Sequence, residues 1–277
     1  MAPFAISVSW VLGCAAGTSG ARERAALLAE RGRVDEAIAV VDERLRAEPG
    51  DVAARRLLVR LYALSGDGRG VEREVAELGR RLGARSPIPW LELGHALELQ
   101  HRYDEALEAY DRAAAADPTD PAGPRTAGPR AARWGELSIA EPRLVEALRR
   151  RPGDAECWHT LGFVRLRRGD LVGARAAYGA GLRADPRRAD NRVGLATIAV
   201  LEGDAGEALA QYDALLALRP GHADAHLGRS WALLELERLD EAARALAAAE
   251  RAGAAPAVVA RQRAALAARR ARAARAP

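Results

Sequence analysis

PIPWLELGHALELQHRYDEALEAYDRAAAADPTD, residues 87–120, decides the fold of this 277-residue chain. Its landmarks are Trp90, Leu93 and Gly94 in a first apolar segment, Ala106, Tyr110 and Ala113 in a second, and Pro118 at the close. The same landmarks return further on. One later copy has Trp158, Leu161, Gly162, Gly169, Ala174, Tyr178 and Pro186, and another has Leu195, Ala196, Gly203, Ala208, Tyr212 and Pro220. Pro118, Pro152, Pro186 and Pro220 stand on a strict 34-residue ladder. Beside it run Ala106, Ala140, Ala174, Ala208 and Ala242, and then Tyr110, Leu144, Tyr178, Tyr212 and Leu246. A fixed period of this length is one supersecondary unit copied in tandem. Such a unit cannot bury its apolar face alone, so its neighbours stack on it in sequence order.

Each landmark has a physical role in a pair of helices, A followed by B. Small residues such as Gly94, Gly162 and Ala196 let helix A approach its paired helix B. Gly66, Gly135, Gly169 and Gly203 fall between the two helices, where a left-handed turn residue is wanted. Asp35-Glu36, Asp104-Glu105 and Asp240-Glu241 open helix B, with acid at the positive end of the helix dipole. The prolines stop helix B and reset the chain.

An aromatic residue, Leu and Gly, followed by Ala, an aromatic residue, Ala and Pro at these spacings resembles the tetratricopeptide repeat. The resemblance implies an all-α fold, an α-solenoid of about seven helix-turn-helix repeats in a right-handed superhelix with a C-terminal capping helix. In phase, the repeats run over 18–51, 52–86, 87–120, 121–154, 155–188, 189–222 and 223–256. Ala37 to Ala106 is two periods plus one residue, and the Gly-rich loop Gly66–Gly70 is expected to hold the extra residue. That loop has no Lys-Ser or Lys-Thr after it and no strand before it, so it is a turn rather than a phosphate cradle. The fourth repeat departs most from the pattern. With Pro124 and Pro129 in its helix A, 121–131 is expected to be poorly formed or kinked, and the array to flex or split there. Pro142 is tolerable if it lies in the first turn of its helix. Segment 257–277 is rich in alanine and in arginine (Arg261, Arg263, Arg269, Arg270, Arg272, Arg275), and it reads as a solvated cap or as a contact for an anionic surface.

Forty-two basic residues, all of them arginine, face 38 acids, a mixed surface rather than a nucleic-acid-binding field. No run of about twenty apolar residues provides an ordinary spanning helix. At the N-terminus, the apolar run Phe4–Leu12 precedes Gly13-Cys14, and residues 1–17 resemble a bacterial signal segment with a lipobox at Cys14. Two readings stand there. One is export with a lipid on Cys14, toward the outer membrane and periplasm; the other is a short apolar segment covering the first repeat of a cytoplasmic protein.

Catalytic patterns are lacking: there is no nucleophile elbow, no zinc-protease motif and no dinucleotide fingerprint. His222 and His226 are spaced for one helix face, but the pair is expected to straddle a helix start and has no third ligand nearby. Cys157 reads as an inert thiol. No enzyme, metal or cofactor is indicated. In the family, partner-facing residues are the second, fifth, ninth and twelfth of each repeat. The resemblance therefore implies a groove of Arg22, Arg56, Arg60, Leu91, His95, Arg125, Glu156, His159, Phe163, Thr197, Leu227 and Trp231. Its N-terminal half is cationic, so its arginines could hold acidic groups bidentately, and its C-terminal half is more apolar. The expected function is a non-enzymatic scaffold that binds a peptide or partner segment, as a lipid-anchored factor in the assembly of an envelope machine. The alternatives are a cytoplasmic adaptor, or an anionic-ligand or nucleic-acid binder acting through the arginine tail.

Overall fold

The computed structural model describes residues 20–275. The signal-like segment 1–17 and Cys14 lie outside them. Among the described residues there are fifteen helices and no strand. They are α1 (Gly20–Glu30), α2 (Val34–Ala47), α3 (Val52–Ser65), α4 (Gly68–Leu82), α5 (Ile88–Leu99), α6 (Tyr103–Ala116), α7 (Ala122–Trp134) and α8 (Leu137–Arg150). Then come α9 (Ala155–Arg167), α10 (Leu171–Ala184), α11 (Ala189–Glu202), α12 (Ala205–Leu218), α13 (Ala223–Glu235), α14 (Leu239–Arg251) and α15 (Pro256–Ala273). Odd-numbered helices up to α13 are A helices, and the even-numbered ones are B helices.

The helix ends are where the sequence chemistry puts them. Asp51, Asp154, Asp170 and Asp204 each accept a hydrogen bond from a first-turn N–H of the helix that follows. Pro118, Pro152, Pro186 and Pro220 each lie two residues beyond the end of a B helix. Between A and B the chain turns through a left-handed residue, Gly66 at φ 80° and Gly203 at φ 74° among them, but His101 (φ 60°) and Glu237 (φ 56°) take the same turn without glycine's freedom.

Contacts divide the chain into two compact units, one ending at Ala131 and the other beginning at Ala132, inside the fourth repeat. In the first, each helix from α1 to α6 packs on the next, and the A helices touch along their own row, α1 with α3 and α3 with α5. The second unit repeats this from α8 to α15, with α9 touching α11 and α15 lying on both α13 and α14. Stacking in sequence order is the solenoid arrangement.

The spacing within these stacks is set by aromatic rings. Tyr110 is fully buried against Gly94, where any Cβ would collide with the ring. Tyr178 is wedged between Gly162 of its own repeat and Gly194 of the next, and Tyr212 meets Gly228 in the same way.

Three expectations are corrected. Residues 122–134 form one continuous helix, not a poorly formed one. Pro124 is the third residue of α7, where its missing N–H has no intrahelical partner to lose. Pro129 does cost a bond, but burial of Ala127 and Ala131 and the close seat of Gly123 on Ala114 hold the helix regardless. Pro142 is the sixth residue of α8, beyond its first turn. After each interior proline an arginine reaches back to the carbonyl four residues earlier, Arg130 to Thr126 at 3.4 Å and Arg143 to Ile139 at 3.0 Å. The extra residue of the second repeat is not in the Gly66–Gly70 loop. Helix α4 runs for 15 residues against 14 in α6 and is closed by Gly83 at φ 81°.

The ring packing predicts opposite outcomes for one substitution. Gly194→Ala should destabilise by about 1–3 kcal/mol because the new methyl overpacks Tyr178. Gly179→Ala, whose new atom would meet only the end of Arg183 at 3.6 Å, should stabilise by about 0.5–1 kcal/mol through helix propensity. Urea titration of the two variants checks both signs.

Candidate functional site

All twelve groove positions fall on A helices: Arg22 on α1, Arg56 and Arg60 on α3, Leu91 and His95 on α5, Arg125 on α7, Glu156, His159 and Phe163 on α9, Thr197 on α11, and Leu227 and Trp231 on α13. Their environments differ sharply between the two units.

In the first unit, Arg56, Arg60 and His95 converge on Glu92, a carboxylate with no solvent exposure. Arg60 donates Nε to Glu92 Oε2 at 2.7 Å and Nη2 to Oε1 at 2.9 Å, and Arg56 Nε donates to Oε1 at 2.7 Å. The His95 ring stands edge-on to Tyr110 at 5.6 Å. The Tyr110 hydroxyl donates to Glu98 Oε2 at 2.8 Å, and Arg130 of α7 pairs with Glu98 at 2.5 Å. A ladder of buried and partly buried charge thus crosses α3, α5 and α7. Burial alone would raise the Glu92 carboxyl's pKa, but hydrogen bonds to His95 and Arg60 and the Arg60 charge hold it far below the usual carboxylate range. Burial lowers the pKa of His95, with the Arg60 and Arg130 charges adding to the shift against Glu92. The cationic groove read from the sequence is therefore occupied by the chain's own acid, and Leu91, 9% exposed, belongs to the core. Glu92 escaped the sequence reading. Its signal was there, a lone carboxylate between Leu91 and Leu93 in an apolar helix stretch.

The second unit is unlike this. Phe163 is 37% exposed, with the Arg167 guanidinium 5.7 Å from its ring centroid. Val193 and Leu201 on α11, neither of them read from the sequence, are 38% and 62% exposed. Thr197 bonds back to the Val193 carbonyl of its own helix at 2.8 Å. Trp231 is half-buried against the α13–α14 core, and Leu227 is buried. Glu156 and Arg125 are exposed, while Arg22 and His159 are half-buried.

His222 caps α13 by accepting the Ala225 N–H at 3.2 Å, and His226 Nε2 lies 2.8 Å from the Pro220 carbonyl, so the two imidazoles are engaged separately. Among the described residues no group of three His, Cys, Asp or Glu is placed to hold a metal. The basic C-terminal segment forms α15. Arg263 pairs with Glu250, Arg269 with Glu235 and Glu237, and Arg270 with Asp240, at 2.7–2.9 Å.

Tandem helix pairs, stacked in order with small residues under tyrosine rings, define an α-solenoid of two-helix repeats. Sequence profiles described as the tetratricopeptide repeat match residues 19–61, 87–120, 125–189 and 193–257, and the chain belongs to the tetratricopeptide repeat family. The matched families are interaction modules, and no enzyme family is among them. No curated protein matches the chain in sequence. Among solved structures, it resembles the C-terminal part of a tetratricopeptide-repeat protein from Cytophaga hutchinsonii (TM-score 0.64, 16% identity, 86% of this chain and 97% of that one). It also resembles YrrB, described as a tetratricopeptide-repeat protein with an unusual peptide-binding site (TM-score 0.59, 20% identity, 68% and 97%). A third is MamA (TM-score 0.56, 19% identity, 60% and 91%).

Removing one side of the buried charge ladder should be costly. Glu92→Ala is expected to lose about 3–5 kcal/mol in the first unit, whereas Arg60→Met with Glu92→Leu should recover most of it. The ladder also makes this unit acid-labile. His95, with its pKa lowered from 6.5, contributes stability that is full above that value and declines as pH falls below it; Glu92, lowered from 4.5, adds a further loss below 4.5. Thermal melts from pH 8 to pH 4 should show a smaller loss for His95→Gln than for the wild type between pH 7 and pH 5.

Proposed function

We propose that this chain is a scaffold that holds an extended segment of a partner protein across the A helices of its second unit, and that a lipid on Cys14 ties it to the outer membrane of a bacterial envelope. The observation that carries the first part is the contrast between the units. Groove positions in the first are filled by an internal ion network, whereas α9 and α11 leave Phe163, Val193 and Leu201 open to solvent. Apolar side chains in a row on rigid helices offer pockets for the alternate residues of an extended peptide. The peptide-binding site ascribed to YrrB is a use of the same fold that accords with this reading. No described helix is long and apolar enough to cross a membrane; the attachment proposed is the lipid on Cys14.

A photoreactive residue at position 163 or 193 should capture the partner, whereas one at 172, on helix B α10 and 82% exposed in the wild type, should not. Equal capture from all three positions would sink the groove assignment. In cells fed a fatty-acid probe, the wild type should be labelled and Cys14→Ala should not; an unlabelled wild type removes the anchor.

A further inference from the structure

Helices α4 and α6 each pack on α5 but hardly on each other, and the three helices line a cavity of about 250 Å³. None of the twelve groove positions lines it. Its floor is apolar: Leu93 and Leu97, one turn apart on α5, meet Val71 of α4 and Ala109 of α6. Gly68, the exposed first residue of α4, stands at its edge, where an added Cβ would meet nothing within 4 Å.

The walls are acidic. Glu72 of α4 and Glu105 and Glu108 of α6 line them, with two arginines among them that leave two of these acids unanswered. Arg102 donates Nε to Glu105 at 2.7 Å and Nη1 to Gln100 at 3.3 Å. Arg112 lies over the Trp90 ring, 5.4 Å from its centroid. Glu72 and Glu108 are exposed and make no hydrogen bond or ion pair among the described residues. The cavity therefore sets spare negative charge above a hydrocarbon floor.

That combination selects an occupant. A volume below the roughly 300–1,000 Å³ of small-molecule sites suits one side chain rather than a cofactor. An apolar side chain would draw Glu72 and Glu108 out of water with nothing to pair them, and an anion would be repelled. A long cationic side chain satisfies both parts, with its methylene stem on Leu93 and Leu97 and its charged head at the carboxylates. We propose that this cavity is a docking site for the lysine or arginine side chain of a partner protein, on the B-helix side of the first unit. The site is independent of the partner-binding reading of the second unit.

The test titrates acetyl-Gly-Lys-Gly amide, acetyl-Gly-Arg-Gly amide and their norleucine counterpart into the full chain, followed by calorimetry and by the methyl NMR signals of Leu93 and Leu97. At least one cationic peptide should bind about tenfold more tightly than the norleucine peptide, and the tighter of the two names the head group. Glu72→Gln with Glu108→Gln should erase that preference. Glu23→Gln with Glu30→Gln, which removes the same charge from α1, should keep it. All four acids are exposed, so both double variants should melt with the wild type. Gly68→Trp changes no charge and should weaken the cationic peptide by blocking the edge of the cavity. No preference over norleucine, equal loss in the two double variants, or methyl shifts that miss Leu93 and Leu97 overturn the site. Unchanged binding by Gly68→Trp also overturns it, because the peptide then sits outside the cavity.

Discussion

Tyrosine rings lodged against glycines set the distances between helices in this molecule. Helices come closest where a missing Cβ makes room for a ring, as at Gly94 of α5 under Tyr110 of α6 or Gly228 of α13 under Tyr212 of α12. Interiors packed this tightly leave no slack for a methyl group. Once the ring fixes that spacing, the residues on the other side of each A helix carry little of the architecture and are open to other uses. The two units have used that freedom in different ways.

The first unit spent it on charge. Arg56 and Arg60 close on the fully buried Glu92, and Arg130 on the partly buried Glu98, so three successive A helices are cross-linked through carboxylates. Buried ion pairs of this kind are seldom more stabilising than a well-packed apolar substitute, but each member becomes indispensable to the other. Arginine suits the task, because its planar fork meets two carboxylate oxygens at once and keeps its charge when buried. The second unit kept hydrocarbon at its surface instead, at Phe163, Val193 and Leu201. The same fold thus carries an internally paired charge ladder in one unit and exposed apolar side chains in the other.

The repeat period, the helix turns and the capping acids were legible because each is a local requirement written into one stretch of chain. What escaped the reading was tertiary. Pro124 and Pro129 read as helix breakers, yet the burial of Ala127 and Ala131 outweighed a single lost hydrogen bond. Arg56 and Arg60 occupy groove positions, but position in a repeat does not reveal that Glu92, over thirty residues away, reaches across to them. Phe163 was legible as a surface aromatic, whereas Val193 and Leu201 look in sequence like any other core residues of an apolar helix.

Tyr178 touches two consecutive repeats at once, through Gly162 and Gly194. A ring held from both sides cannot be released by the fraying of one repeat alone. The fifth and sixth repeats are therefore bound into one thermodynamic block, with a strong nearest-neighbour term where an array of independent modules would have a weak one. Whatever steadies α9 thereby also steadies α11, and the two repeats share one store of stability.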